Sequence, residues 1–208
     1  PVGIAATTVV LIERMRVWFT ARFTDSPKVR PDDSPARVFS RILSNTTVVV
    51  AGASVLVAEL NPESAERAAL ELRDDFGVDA HWTRTDVSEK ADVLAMVAAA
   101  EERWGGVDVL VNNAWGGGGF GRIEWKDDAE IERGLQVGFW GTYWAMQACF
   151  PILRARGGGS IVNLGSLNGV NAHLYTVDYN LAKEAIRSFS RSAAREWARH
   201  GIRVNVIC

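Results

Sequence analysis

Val107-Asp108-Val109-Leu110-Val111-Asn112-Asn113-Ala114 is the stretch that decides the fold. Its apolar run from Val107 to Val111 is nearly uninterrupted, the pattern of a strand covered on both faces rather than on one. Further strands are expected at Val55–Glu59, Ala80–Thr85, Ser160–Leu164 and Ile202–Ile207. Between them the apolar period becomes helical. Asn61-Pro62 offers an N-cap and a first-turn proline, and Ala65, Ala68, Ala69, Leu72 and Phe76 carry the period onward. Ser88 is expected to cap a second helix that reaches Trp104 and stops at Gly105-Gly106. Further helices are expected over about Asp127–Leu153 and Val177–Arg199. Buried strands separated by helices predict an α/β fold, a doubly wound parallel sheet with helices on both faces. Ligands of such sheets collect at the carboxyl ends of the strands. Asp86, Asn112 and Ser166 all fall at such ends, so one common cleft is expected.

The first fifty residues do not share this rhythm. Thr7–Ile12 reads as a strand, whereas Asp25–Pro35 holds three prolines among turn formers and reads as loop. Residues 1–46 carry seven basic and four acidic side chains in a chain of net charge -2. They are set apart as an atypical, irregular segment, with the domain proper over 47–208. The chain starts without Met and stops at Cys208 after an apolar run, so it reads as a fragment.

Composition narrows the function classes. With 48 % hydrophobic and 23 % charged residues in 208, the chain is of the globular class and long enough for a real core. A net charge of -2 gives no footprint for nucleic acid or a polybasic membrane patch. No apolar run has spanning length, and residues 1–12 lack the shape of a signal peptide. Cys149 and Cys208 form no disulfide framework, which makes a reducing cytoplasm the natural location. His81 and His200 have no metal partners at suitable spacing, so no metal is expected.

The chemistry is concentrated near the end of the chain. Tyr179 and Lys183 are four apart and share one helix face. An ammonium beside a phenol stabilises the phenolate and makes a proton-transfer group that works near neutral pH. Ser166, thirteen residues before Tyr179, offers a hydroxyl to a substrate oxygen. Gly116–Gly119 follows a strand, but Phe120–Trp125 separates it from the next helix. Its amides are therefore not a helix N-terminus, and the segment is expected to be a flexible wall of the substrate pocket.

In order and spacing, residues from about Ala53 to Cys208 resemble the short-chain dehydrogenase/reductases. The segments that carry the resemblance are Gly52–Glu59, Thr85-Asp86-Val87, Val111-Asn112-Asn113-Ala114, Ile161–Ser166 and the Tyr179/Lys183 pair. The resemblance implies a Rossmann-like domain and hydride exchange between a secondary alcohol and a ketone. It makes Ser166, Tyr179 and Lys183 catalytic. Glu59, Asp86, Val87, Asn112 and Ala114, with Tyr179 and Lys183, would hold a nicotinamide dinucleotide. Glu59 would accept the adenosine ribose hydroxyls and repel a 2′-phosphate, which favours NAD over NADP. Trp115, His173 and Tyr175 would meet a small alcohol or ketone, and the aromatic pocket edge suits a hydrophobic or cyclic one. Trp140, Tyr143 and Trp144 lie on a helix that in the family packs at a subunit interface, so a homodimer or homotetramer is implied.

Several features depart from the family. Its glycine-rich phosphate turn is missing: Pro27, Pro31 and Pro35 stand where it belongs, and Val48–Ser54 leads straight into the second strand. Trp115 replaces the last glycine of the Asn-Asn-Ala-Gly motif. Gly138 stands where the family has an asparagine that helps to hold a water beside the lysine, leaving only a backbone carbonyl for that water. The family's last strand and substrate lid are absent. A second reading is therefore a catalytically silent relative that acts as a binding or oligomerisation module.

Overall fold

The computed structural model describes residues 9–13 and 53–208. The described elements alternate along the chain. In order they are β1 (Val9–Glu13), β2 (Ser54–Glu59), α1 (Pro62–Phe76), β3 (Asp79–Arg84), α2 (Lys90–Trp104) and β4 (Val109–Asn112). Then come α3 (Asp128–Leu135), α4 (Gly141–Ala155), β5 (Gly159–Leu164), the short α5 (Leu167–Asn171), α6 (Val177–Trp197) and β6 (Ile202–Ile207). Most boundaries agree with the apolar pattern because caps fix them. Asn61 Oδ1 accepts the Ser64 N–H at 2.9 Å at the start of α1. Gly105, at φ 78°, ends α2 in a left-handed conformation that glycine adopts without strain.

Two helix expectations need correction. Ser88 does not cap α2, because Asp86 Oδ1 accepts both its N–H at 3.0 Å and its hydroxyl at 2.6 Å. Glu89 takes the cap position without a side-chain bond. The single helix expected over Asp127–Leu153 is interrupted by a π-helical turn, Gln136–Trp140, between α3 and α4. Gly138 and Gly141 lie at this wider turn, and a Cβ on Gly141 would come within 2.8 Å of the Val87 carbonyl. Periodicity over a long apolar segment does not reveal one inserted residue per turn.

The sheet runs in the order β3-β2-β1-β4-β5-β6. The pairs β2–β3, β4–β5 and β5–β6 are parallel, with helices on both faces of the sheet. Leu110, Ile161, Met146, Leu153 and Ile202 fill one face. Val55, Val57, Ala69, Val109 and Val111 fill the other. A buried side chain of this kind contributes about 1.5–3 kcal/mol. Occupied faces on both sides explain why the Val107–Val111 run lacks alternation.

The central strand is the exception. The strand expected near Thr7–Ile12 exists as β1, but it is antiparallel to both β2 and β4. Val9 lies opposite Asn112, and Glu13 opposite Ser54. The chain therefore leaves β1 at the edge where β2 begins, remote from Glu59 and Asn112. The rest of the segment 1–46 set apart above lies outside the described residues, as does Val48–Gly52.

Candidate active site

Helix α6 carries Tyr179 and Lys183 on the face turned toward β5. The Lys183 ammonium donates to the Leu164 carbonyl at 2.7 Å, two residues before Ser166. Lys183 is only 4 % exposed. Burial pushes its pKa down to about 8, against an opposing pull from Cys208. Its Nζ lies 5.6 Å from the centre of the Tyr179 ring and 5.7 Å from that of Trp115. The Trp115 and Tyr179 rings meet edge to face, 4.6 Å apart at 88°. The structure thus assembles Tyr179, Lys183 and Trp115 into one cluster.

Ser166 stands just past the end of β5. Its Oγ accepts the Asn168 N–H at 3.1 Å and caps α5. Helix α5 packs closely on α6, since a Cβ on Gly169 would reach within 3.0 Å of the Glu184 nitrogen. Asn112 is buried at the end of β4. Its Nδ2 donates to Asn163 Oδ1 at 2.8 Å, and Asn163 Nδ2 donates to Ser190 Oγ at 2.7 Å. This polar chain ties β4 and β5 to α6 inside the core. Asn112 Oδ1 has no hydrogen-bond partner among the described residues. Neither Asn163 nor Ser190 was singled out from the sequence, because a lone Asn or Ser in an apolar run carries no spacing signal.

The residues expected to hold a dinucleotide lie at the strand ends. Glu59 is buried, and its Oε1 accepts the Asn61 N–H at 3.0 Å. Asp86 is committed through Oδ1 to Ser88, as described, and its own N–H donates to Asp92 Oδ2 at 3.0 Å. Val87 is buried beneath Gly141, and Ala114 packs against the core. These positions suit the adenosine end, and Asn112, Tyr179 and Lys183 suit the nicotinamide end. The pyrophosphate between them is a different matter. A phosphate is held by backbone amides and a helix N-terminus at the carboxyl end of a strand. The reversal of β1 puts its carboxyl end on the opposite edge of the sheet. The described residues therefore fit both ends of the group and not its middle. Among them, no cluster of three or more His, Cys, Asp or Glu could hold a metal ion.

Gly138 has one further consequence. Its carbonyl accepts the Thr142 hydroxyl at 3.1 Å, so part of the acceptor capacity expected for a water is already used.

The glycine-rich segment expected to be a flexible wall is tied down. The Gly121 N–H donates to the Tyr175 carbonyl at 3.0 Å. Lys126 Nζ donates to the Gly119 carbonyl and pairs with Asp178 Oδ1 at 3.4 Å and Glu130 at 3.5 Å. The Lys126 and Asp178 side chains are 3 % and 2 % exposed. Gly118, at φ 76°, passes so close to Asp178 that a Cβ would coincide with its Oδ2. The pair thus clamps the segment against the residue that precedes Tyr179. Sequence reading missed both residues, since a lysine and an aspartate 52 positions apart have no local pattern. Lys126→Met leaves Asp178 buried and uncompensated, and is expected to lower unfolding free energy by about 3 kcal/mol. Urea unfolding checks this; a midpoint equal to wild type would show that the pair contributes no net stability.

His173 and Tyr175 are both exposed and lie in the connection from α5 to α6. They line a groove of about 520 Å³ with Ile123, Leu174 and Leu181. Tyr179, Lys183 and Ser166 do not line it. Of the three expected substrate contacts, only Trp115 touches the Tyr179–Lys183 cluster.

This fold and this cluster point to one class, a nucleotide-binding α/β domain of the dehydrogenase type. Residues 45–208 match the short chain dehydrogenase family, and the chain belongs to that family. It is similar to the uncharacterized oxidoreductase YxjF of Bacillus subtilis, with 36 % identity over 157 residues, 76 % of this chain and 60 % of that protein. Among solved structures it resembles L-sorbose reductase of Gluconobacter frateurii in complex with NADPH and L-sorbose. That match has a TM-score of 0.70 and 30 % identity, and covers 74 % of this chain and 58 % of the reductase. It also resembles NAD+-bound xylitol dehydrogenase, with a TM-score of 0.71 and 27 % identity over 74 % of this chain and 58 % of that one. The chain thus spans about 60 % of the length of the relatives it matches.

Proposed function

We propose that this domain serves an oxidoreductase that interconverts a secondary alcohol and a ketone with a nicotinamide dinucleotide. The observation that carries this reading is the buried Lys183 ammonium held against the Tyr179 ring at the end of β5. In the reductive direction, Tyr179 gives a proton to the substrate oxygen. Lys183 stabilises the phenolate that remains, and its lowered pKa lets it exchange protons close to neutral pH. Ser166 offers its hydroxyl to the same oxygen while its lone pair caps α5. A nicotinamide, when bound, supplies the hydride. The named substrates of the two solved relatives are polyols or ketoses. The Trp115 edge of this site instead favours a more apolar alcohol. The clustered rings of Phe139, Trp140, Tyr143 and Trp144 on the π-turn and α4 supply an aromatic face that suits a homodimer or homotetramer. A cytoplasmic location fits a chain whose described residues hold no helix long and apolar enough to cross a membrane.

NAD is proposed over NADP because Glu59 puts a carboxylate where a 2′-phosphate would lie. Completed to the length of its relatives and given the family's glycine-rich phosphate turn, the chain is expected to show a higher kcat/KM for NADH than for NADPH with a ketone panel. Glu59→Ala should narrow that preference by about 1–3 kcal/mol. Equal efficiency with both cofactors in the parent would refute the assignment, and no ketone reduction with either would remove the oxidoreductase reading. The reversed β1 favours a second reading, a silent relative that binds partners through its aromatic face. Ketone reduction by the extended chain decides between the two.

A further inference from the structure

Trp115 and Gly138 are far apart in sequence and meet in the fold. A Cβ built on Gly138 would lie 2.9 Å from Trp115 Cζ3 and 2.8 Å from the Ala182 Cβ. Both distances are too short for carbon atoms in contact. Gly138 sits in the π-helical turn, and Ala182 is one residue before Lys183 on α6. The space that a side chain at 138 would enter, next to the residue before Lys183, is therefore filled by the Trp115 indole and the Ala182 methyl on α6. From there the indole meets Tyr179 edge to face, and Lys183 Nζ lies 5.7 Å from the indole centre and 5.6 Å from that of Tyr179.

We propose that Trp115 is a positioning residue of this site, admitted by Gly138, and that the two act as one coupled pair that shields Lys183 from water and fixes the Tyr179 ring. The proposal deepens the Ser-Tyr-Lys reading and rests on it. The argument is steric and electrostatic. A half-buried indole over an ammonium excludes solvent from one side and offers its π face to the charge. It also narrows the rotamers open to Tyr179 through an edge-to-face contact. Other groups near Lys183 are the Leu164 carbonyl on β5, Tyr179 on its own helix, Gly169 on α5 and Cys208 just beyond β6. Among the described groups, Cys208 supplies the only charge interaction resolved for the ammonium. Solvent exclusion is thus the dominant influence on it, and the indole covers one side of the ammonium. The wider helical turn belongs to the same arrangement. A π-turn shifts the backbone sideways at the point where the indole needs room.

The test uses the chain as it exists and needs no cofactor or turnover. Urea unfolding of Gly138→Ala, Trp115→Gly and the double variant forms a cycle, run in an Ala182→Gly background so that the indole alone is at issue. Gly138→Ala is expected to lower the midpoint strongly when Trp115 is present, and to lose most of that effect in Trp115→Gly. Equal losses in both backgrounds would overturn the coupling. The second readout is Lys183 itself, followed by NMR of labelled lysine and assigned by the signal lost in Lys183→Arg. Trp115→Gly is expected to move its titration midpoint upward from about 8 toward the ordinary lysine value, while Trp115→Phe holds it lower. A midpoint that Trp115→Gly leaves in place would reduce Trp115 to packing. If Trp115→Gly fails to fold, Trp115→Leu is used in both measurements and is expected to shift each in the same direction. A sound cycle in a protein without ketone reductase activity would leave the coupling standing and remove only the catalytic reading.

Discussion

Tyr179→Phe is expected to lower kcat by about 10²–10⁴-fold, the range that a positioned acid or base contributes, in a version of the chain completed to the length of its relatives with the family's glycine-rich phosphate turn. The phenol oxygen is the only atom removed. The ring that packs edge to face on Trp115 stays, and so do the Leu164 carbonyl bond and the burial of Lys183. Cofactor affinity and the unfolding midpoint should therefore stay close to the parent values. Steady-state kinetics with a reducible ketone, beside fluorescence titration with NADH, separate these quantities. A variant that keeps more than about a tenth of the parent kcat would take Tyr179 out of the proton-transfer role, because acid–base catalysis is worth more than that factor. A variant with weakened NADH binding would mean that the ring, rather than the proton, had been disturbed.

The second large effect concerns the 208-residue chain by itself. It is expected to bind NADH only in the millimolar range or not at all, and to show negligible turnover. Glu59, Asn112 and Lys183 are proposed to hold the two ends of the dinucleotide, but β1 runs the wrong way to deliver amides to the pyrophosphate. Each charge-assisted bond to a phosphate oxygen contributes about 1.5–3 kcal/mol. Each 1.4 kcal/mol is about tenfold in affinity, so the loss of two or three such bonds moves a micromolar site to millimolar or beyond. Calorimetric titration of the purified chain with NADH measures this directly. Micromolar affinity would contradict the expectation and would assign a phosphate site to residues 14–52, which lie outside the described residues.

These two outcomes reflect how unevenly the site was written in the sequence. Tyr179 and Lys183 were readable because helical spacing puts positions four apart on one face, whatever the rest of the fold does. Glu59, Asp86, Asn112 and Ser166 were readable as strand ends, since the apolar runs that precede them stop there. Lys126, Asp178, Asn163 and Ser190 were not readable. Each is an ordinary polar residue until a partner distant in sequence is brought against it, and burial then makes the contact consequential. Asp86 shows the converse case. Its place at a strand end was legible, but not that its Oδ1 would accept both the N–H and the hydroxyl of Ser88, a local competition that spacing does not rank.

By itself the sequence determined the class of sheet, its two-sided burial, most helix limits and the pairing of Tyr179 with Lys183. All of these follow from local periodicity, from caps and from the reach of neighbouring side chains. Only the tertiary structure decided the direction of β1, because the two-residue period of a strand reads the same whichever way the chain runs. Only the tertiary structure decided that Trp115 and Gly138 belong together, because the space that one fills and the other vacates exists only once α4, α6 and the end of β4 are packed.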